Sequence, residues 1–300
     1  MNKLELIRTF VTIAETGSFT EAAQALNLPK ASVSAAIQKL ENHVGAQLLH
    51  RTTRKVTITP DGEAFLERSK DLLSEVTDIE NMFLKKSENL KGRIRADFPT
   101  TISRIVLFPH LPEFLKLHPE LELEIGSTDR RVDLIREGYD FVLRVGSLTD
   151  SGLVAKKIGE FKMVNCVSPG YIKKYGRPKN IEELKDHYIV HYVSTLGARP
   201  DGFEYFDGEK YVTQKMKGLI TVNSVDSYQA ACKVGMGIIQ VPYAGIKEEI
   251  KKGFLVPVLE RLKSEPMPIT FVYPNRRNVP TRVKVFMDWV EDTLKDYIGD

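Results

Sequence analysis

The residue pattern points first to chemistry that needs no covalent step. Lys30, Ala31, Ser34, Ala35, Gln38 and Lys39 fall outside the apolar stripe Val33, Ile37 and Leu40 of one helical repeat. The set is small, polar or basic. A helix that enters a DNA major groove, about 12 Å wide, needs short side chains for close approach and Gln, Ser or Lys for base edges and phosphates. A solvated helix face uses the same residue types, so this helix alone leaves both readings open. The next segment tips the balance, because Arg51, Thr52, Thr53, Arg54 and Lys55 lie between two short strand-prone pieces. Its cations can neutralise phosphates or probe a minor groove, and its threonines can donate to phosphate oxygens. From Leu28 to Thr59 the basic residues Lys30, Lys39, Arg51, Arg54 and Lys55 face Glu41 alone, although the whole chain carries a net charge of only +3. Positive charge concentrated in one short stretch is the footprint of a nucleic-acid contact.

Other residues that could do chemistry lead nowhere comparable. His187 and His191 stand four apart, as metal ligands on a helix would, but they flank the strand-like Tyr188-Ile189-Val190, and no third ligand follows. Gly235-Met236-Gly237 is two glycines without the rest of a dinucleotide fingerprint, and neither a phosphate loop nor a nucleophile elbow occurs. Cys166 and Cys232 sit in apolar-rich stretches and read as buried thiols, with a redox pair as the alternative. No metal or cofactor is called for. No run approaches the roughly 18 apolar residues of a membrane span, and Lys3, Glu5, Arg8 and Glu15 break up the pattern a secretory signal needs, so a cytoplasmic protein is expected.

The elements that position the basic face read as follows. Leu4, Ile7, Val11 and Ala14 form the stripe of a first helix that Gly17 ends. Ser18-Phe19-Thr20-Glu21 reads as a capping box that opens a second helix carrying Phe19, Ala22, Ala23 and Leu26 inward. Asn27-Leu28-Pro29 breaks it, and Pro29 is expected as the first residue of the third helix. With the basic turn as a wing, residues 1–60 make a winged helix-turn-helix.

At this point the residues resemble the LysR-type transcriptional regulators. The likeness runs through Phe10, Ala14, Gly17-Ser18-Phe19, Ala22-Ala23, Leu26, Val33-Ser34, Ile37, Leu40-Glu41, Gly45, Leu48-Leu49, Arg51, Thr57, Thr59 and Gly62. It implies that Lys30, Ala31, Ser34, Ala35 and Gln38 read the major groove. Ser18, Thr20, Ser32, Lys39, Arg51, Thr52, Arg54 and Lys55 complete the candidate DNA contacts. Ala35 stands where the family often has Arg, and Pro29 where it often has Ser, so no relative's operator carries over.

Pro60-Asp61-Gly62 opens a long helical pattern ending near Ser87, in which Phe65, Ser69, Leu72, Val76, Ile79 and Phe83 alternate steps of four and three. A helix of that length spans about 40 Å and cannot bury its stripe on a small domain alone. Phe65, Leu72, Val76, Ile79 and Phe83 are the candidate dimer seam of a linker at 61–90; packing on the C-terminal domain is the alternative. The resemblance also implies dimerisation here, and a dimer of dimers, a homotetramer, is expected on promoter DNA. Two-fold symmetry then predicts an inverted-repeat promoter site on double-stranded DNA.

From Arg93 onward strands and helices alternate: strands at 93–97, 121–125, 141–145, 164–167, 189–192, 220–222 and 238–241, helices at 102–117, 132–137 and 282–297. This predicts a mostly parallel sheet covered by helices, with enough chain for two lobes. The resemblance implies a two-lobed α/β effector domain similar to periplasmic binding proteins over 91–300. Lobe I would span about 91–162 and 268–300, and lobe II about 163–267, with crossovers near Lys162 and Pro268. Open α/β sheets bind ligands beyond the carboxyl ends of their strands, where helix N-termini gather. That rule selects Thr100, Thr101, Asn223, Ser224 and Ser227, with Arg144 and Gly146 at a strand end, and suits a small anion such as a carboxylate. Thr100, Thr101 and Ser224 would equally serve as plain helix caps. Thr195 joins the set by resemblance only. The function expected is a sequence-specific transcriptional regulator responding to a small effector, not an enzyme. The alternative is a small-molecule binding protein or enzyme with an N-terminal module that only associates.

Overall fold

The computed structural model describes residues 1–51, 56–81, 90–148, 152–274 and 279–299. The chain divides into two compact units, Met1–Ser87 and Glu88–Asp300.

The first unit is built on three helices, α1 (Lys3–Thr16), α2 (Phe19–Ala25) and α3 (Lys30–Val44). Asn2 and Glu5 form a complete capping box at the start of α1: the Glu5 amide donates to the Asn2 side chain at 2.9 Å and the Asn2 amide to Glu5 Oε2 at 2.7 Å. At α2 only the half of the box formed by the Ser18 hydroxyl accepting from the Glu21 amide, at 3.3 Å, caps the helix. Pro29 proves to be the N-cap of α3 rather than its first residue, because its ψ of 140° is extended. Leu6, Phe10, Ile13, Ala22, Val33, Ile37, Leu40, Leu48 and Leu49 form one core. The antiparallel strands β1 (Leu49–Arg51) and β2 (Val56–Ile58) follow, with His50 opposite Thr57. Glu41 is a fastener here, its Oε1 accepting the Leu48 and Leu49 amides at 2.9 and 3.2 Å.

Helix α4 (Pro60–Asn81) is joined closely to this unit. Thr59 Oγ1 donates to the Gln47 carbonyl at 2.7 Å and accepts from the Gly62 amide at 2.9 Å. A Cβ at Gly62 would overlap the Leu48 carbonyl oxygen, so the approach requires glycine. Phe65, expected in a dimer seam, instead packs edge-on to Phe10 with ring centroids 5.4 Å apart, and Ser69 is buried. Phe65, Leu66 and Leu73 of α4 thus pack against the unit's own core. Leu72 and Ile79 are exposed, at 39% and 63%. Phe83 lies outside the described residues.

The second unit holds a five-stranded sheet in the order β4-β3-β5-β14-β6, comprising β3 (Lys91–Phe98), β4 (Glu120–Ser127), β5 (Phe141–Val145), β6 (Val154–Phe161) and β14 (Met267–Tyr273). β4, β3 and β5 are parallel, while β14 runs antiparallel to both its neighbours, so the sheet is mixed rather than parallel throughout. A helical run from Thr100 to Leu117, made of α5 (Thr100–Ile102), a π-helical turn (Ser103–Leu107) and α6 (Phe108–Leu117), packs with the last helix over this sheet. Residues 132–137 form a hydrogen-bonded turn, not the expected helix: the Glu137 amide reaches the Asp133 carbonyl at 2.8 Å and Gly138, at φ 71°, ends it after one turn.

Lys162 alone separates β6 from β7 (Met163–Val167), which lies in a second sheet. There β12 (Ile239–Pro242) and β13 (Val256–Pro257) flank β7, and a parallel bridge from Ile189 to Ile238 joins the pair β8 (His191–Tyr192) and β11 (Thr221–Val222) to them. A hairpin of β9 (Phe203–Phe206) and β10 (Tyr211–Gln214), and helices α7 (Pro169–Tyr175), α8 (Val225–Lys233) and α9 (Lys247–Lys251), complete this part. α10 (Thr281–Gly299) then returns Val283, Phe286, Val290 and Leu294 to the first core. Among the described residues no helix is long and apolar enough to cross a membrane.

Candidate functional site

In the first unit the burial of Val33, Ala36, Ile37 and Leu40 turns the opposite side of α3 outward. Lys30, Ala31, Ala35, Gln38 and Lys39 are exposed, and Ser32 and Ser34 half-buried. The side chains of Lys30, Ser34, Gln38 and Lys39 have no hydrogen bond or ion pair with the described residues, so their polar groups face solvent unassigned. Thr20 is also exposed, whereas the Ser18 hydroxyl is committed to capping α2. Positions 31, 34, 35 and 38 recur at helical spacing and share one strip. Thr52, Arg54 and Lys55 lie outside the described residues, and of Arg51 the backbone pairing with Val56 is described.

The second unit contains a cavity of about 640 Å³ between its two sheets, within the range of small-molecule sites. Of the residues expected at an effector site, Thr101, Arg144 and Gly146 line it. Thr100, Thr195, Asn223 and Ser224 do not. At the two helix starts near Thr100 and Ser224 the backbone donors are already taken. Asp129, on the loop after β4, accepts the Thr100 amide on Oδ1 at 3.1 Å and the Val225 amide on Oδ2 at 2.9 Å. Pro99 and Ser224, the N-cap residues of α5 and α8, make no side-chain cap. One carboxylate of the chain itself thus satisfies the two helix starts that were expected to receive an anionic ligand.

Arg144 is similarly engaged. Its Nη2 lies 2.7 Å from Oδ2 of the fully buried Asp97, and its Nη1 donates to the Leu143 carbonyl at 2.7 Å. Thr128 donates to the same Asp97 oxygen at 3.1 Å. Burial raises the Asp97 carboxyl from its ordinary range, and Arg144 opposes that shift. The guanidinium expected to meet a ligand is therefore neutralised from within.

The rest of the lining comes from distant segments. Phe161, Met163, Tyr192, Tyr228 and Tyr297 supply apolar wall. Burial pushes the Tyr192 and Tyr297 hydroxyls up to about 12, so they stay protonated. His191 also lines the cavity, and burial lowers its pKa and favours the neutral ring. His187 is turned elsewhere, its Nδ1 2.9 Å from the Tyr171 hydroxyl. Gln240 binds the Glu204 backbone through both amide atoms at 2.8 Å, and its Nε2 also donates to Asn165 Oδ1 at 2.9 Å, fixing that wall. Cys166 and Cys232 are buried, and burial pushes both thiols up, the first to about 12, which leaves them protonated and poorly nucleophilic. Asp129 was within reach of sequence reasoning, since Thr128-Asp129 also follows the carboxyl end of a strand. Glu204, Gln240 and Ser264 carry no local signal.

An outward polar helix face in a helix-turn-helix and a ligand-sized cavity between two α/β sheets define a class: a DNA-binding regulator with an effector-binding domain. Residues 4–63 match the bacterial regulatory helix-turn-helix protein of the lysR family, and residues 87–295 match the LysR substrate binding domain. The chain belongs to the LysR family of transcriptional regulators, and it is not an enzyme. It is 41% identical over 298 residues to the uncharacterized HTH-type transcriptional regulator YhjC of Escherichia coli strain K12, covering 99% of this chain and 100% of that one. An HTH-type transcriptional repressor of Pseudomonas aeruginosa is 33% identical over 297 residues, covering 99% of this chain and 93% of that one. Among solved structures, CrgA, a LysR-type transcriptional regulator from Neisseria meningitidis, has a TM-score of 0.61 and 28% identity, covering 98% of this chain and 99% of that chain.

Proposed function

We propose that the protein is a cytoplasmic, ligand-responsive regulator that binds an inverted-repeat promoter site as a dimer, two of which associate on DNA. The outward, unassigned polar strip of α3 carries this reading. Lys30, Ser34 and Gln38 read base edges and nearby phosphates; Arg51, Thr52, Arg54 and Lys55 hold the backbone. Leu72 and Ile79, exposed on α4, support a helix-to-helix dimer seam, which Phe65 does not join because it serves the unit's own core. Residues 1–60, 61–90 and 91–300 act as reader, linker and effector domain.

A small effector binds in the 640 Å³ cavity and changes the DNA complex by favouring one arrangement of the two sheets over another. It acts only through its differential affinity for the two arrangements, typically ~1–3 kcal/mol. The sequence favoured an anion; the internal engagement of Arg144 and of both helix starts removes the groups on which that preference stood.

Sedimentation and operator binding of Ile79→Asp test the assembly. The variant is expected to be monomeric at micromolar concentration and to lose at least tenfold in operator affinity, as bivalent binding is lost. An unchanged sedimentation coefficient would exclude the α4 seam.

A further inference from the structure

Resting on the reading that this cavity is the effector site, we propose that its ligand is a small organic cation, an amine or ammonium on an apolar or aromatic body. Among the described residues the lining contains four carboxylate residues, Asp129, Asp201, Glu204 and Glu265, and one permanently basic residue, Arg144, already paired with Asp97. Among the described residues, no lysine or arginine lies within ion-pair distance of Asp201, Glu204 or Glu265. Glu204 instead accepts the Glu265 amide at 3.1 Å, which draws two acidic residues together at one part of the wall. His191 supplies no compensating charge at neutral pH. An anion entering here would meet four negative residues and, among the described residues, no unpaired lysine or arginine, and would be repelled. A cation would meet the reverse.

A second observation shows that the cavity has unfilled polar capacity. The Thr101 and Ser264 hydroxyls are buried without a hydrogen-bond partner, their residues only 8% and 6% exposed, and both line the cavity. The Gln229 amide, 7% exposed and on the same lining, also has no partner among the described residues. Buried polar groups are seldom left so without a ligand or water to meet them. Hydroxyl and amide oxygens can also accept from an ammonium N–H, beside the stronger carboxylate acceptors. The apolar wall of Phe161, Met163, Tyr192 and Tyr228 takes the body of the ligand, and tyrosine faces attract a desolvated cation.

The test compares three compounds of one shape and different charge, phenethylamine, 2-phenylethanol and phenylacetate, on the full-length protein by thermal shift and calorimetry. Two variants accompany the wild type. Glu204→Gln removes one charge while keeping an oxygen to accept the Glu265 amide. Gly245→Leu intrudes on the cavity, since even a Cβ at Gly245 would lie 3.6 Å from the Tyr297 hydroxyl and 3.8 Å from Thr101. Phenethylamine is expected to bind most tightly, to lose about tenfold in affinity in Glu204→Gln, as a charged hydrogen bond requires, and to be blocked in Gly245→Leu. Phenylacetate binding more tightly, blocked by Gly245→Leu, would overturn the cation while leaving the cavity as effector site. Binding unaffected by Gly245→Leu would overturn the cavity reading itself. Equal responses to all three compounds, or none to the amine at millimolar concentration, would also refute the cation.

Discussion

On α3, Lys30, Gln38 and Lys39 lie exposed with no partner among the described residues, whereas around the cavity Arg144 and Asp129 are both held by the chain itself. Polar and charged side chains thus do different work in the two units. A surface that meets a polyanion gains by leaving its donors free, since DNA completes them and releases counterions. A cavity carved between two sheets exposes backbone ends and buried charge to low dielectric, and must satisfy them before any ligand arrives. Charge in a candidate site therefore indicates a ligand only after its internal partners are known. Reading Arg144 and the helix starts without Asp97 and Asp129 leaves out the partners that already engage them.

Perturbing the two units should separate these uses. The largest effect is expected from Arg144→Leu, which strands the buried Asp97 carboxylate. Removing one partner of a buried pair costs about 3–5 kcal/mol, so the thermal transition of the second unit should fall steeply, and Asp97→Asn added to it should recover much of the loss. A double variant as unstable as Arg144→Leu alone would show that the pair does not matter. Next is Asp129→Ala, which leaves two backbone N–H groups without an acceptor at a cost of about 2 kcal/mol. The vacated position should then accept acetate, seen as an acetate-dependent rise in transition temperature that the wild type lacks. Absence of that rescue would remove Asp129 from its role as resident anion. Gln38→Ala should leave stability unchanged to within about 0.5 kcal/mol, as for a surface change. It should weaken DNA binding by about 1–3 kcal/mol, unevenly across operator variants. A drop in stability with uniform DNA loss would make Gln38 structural.

The two units also differed in how far their sequence could be read. The reader is contiguous: Val33, Ile37 and Leu40 set the face of α3 by periodicity, and what remained was necessarily outside. For Phe65 a step of four or three gives the face but not the neighbour, which within this unit is Phe10. In the second unit β6 was not foreseen, since Val154–Phe161 is an edge strand bonded to β14 alone and carries Lys156, Lys157 and Glu160 where a central strand would be apolar. The hairpin of β9 and β10 brings Glu204 to the cavity by a pairing only the folded chain creates. Thr101, Arg144 and Gly146 were legible from the strand-end rule, while Ser264 and Gln240 follow from topology alone.

We propose that the free polar face of α3, together with Arg51, Arg54 and Lys55, binds DNA electrostatically and reads it locally. The direct measurement is titration of the full-length protein against operator-containing and random duplexes over a series of salt concentrations, with Arg54→Ala alongside the wild type. Log K is expected to fall linearly with log salt on both duplexes, the operator to be preferred throughout, and Arg54→Ala to flatten the slope by about one. Binding that did not depend on salt, or that failed to distinguish operator from random DNA, would contradict it.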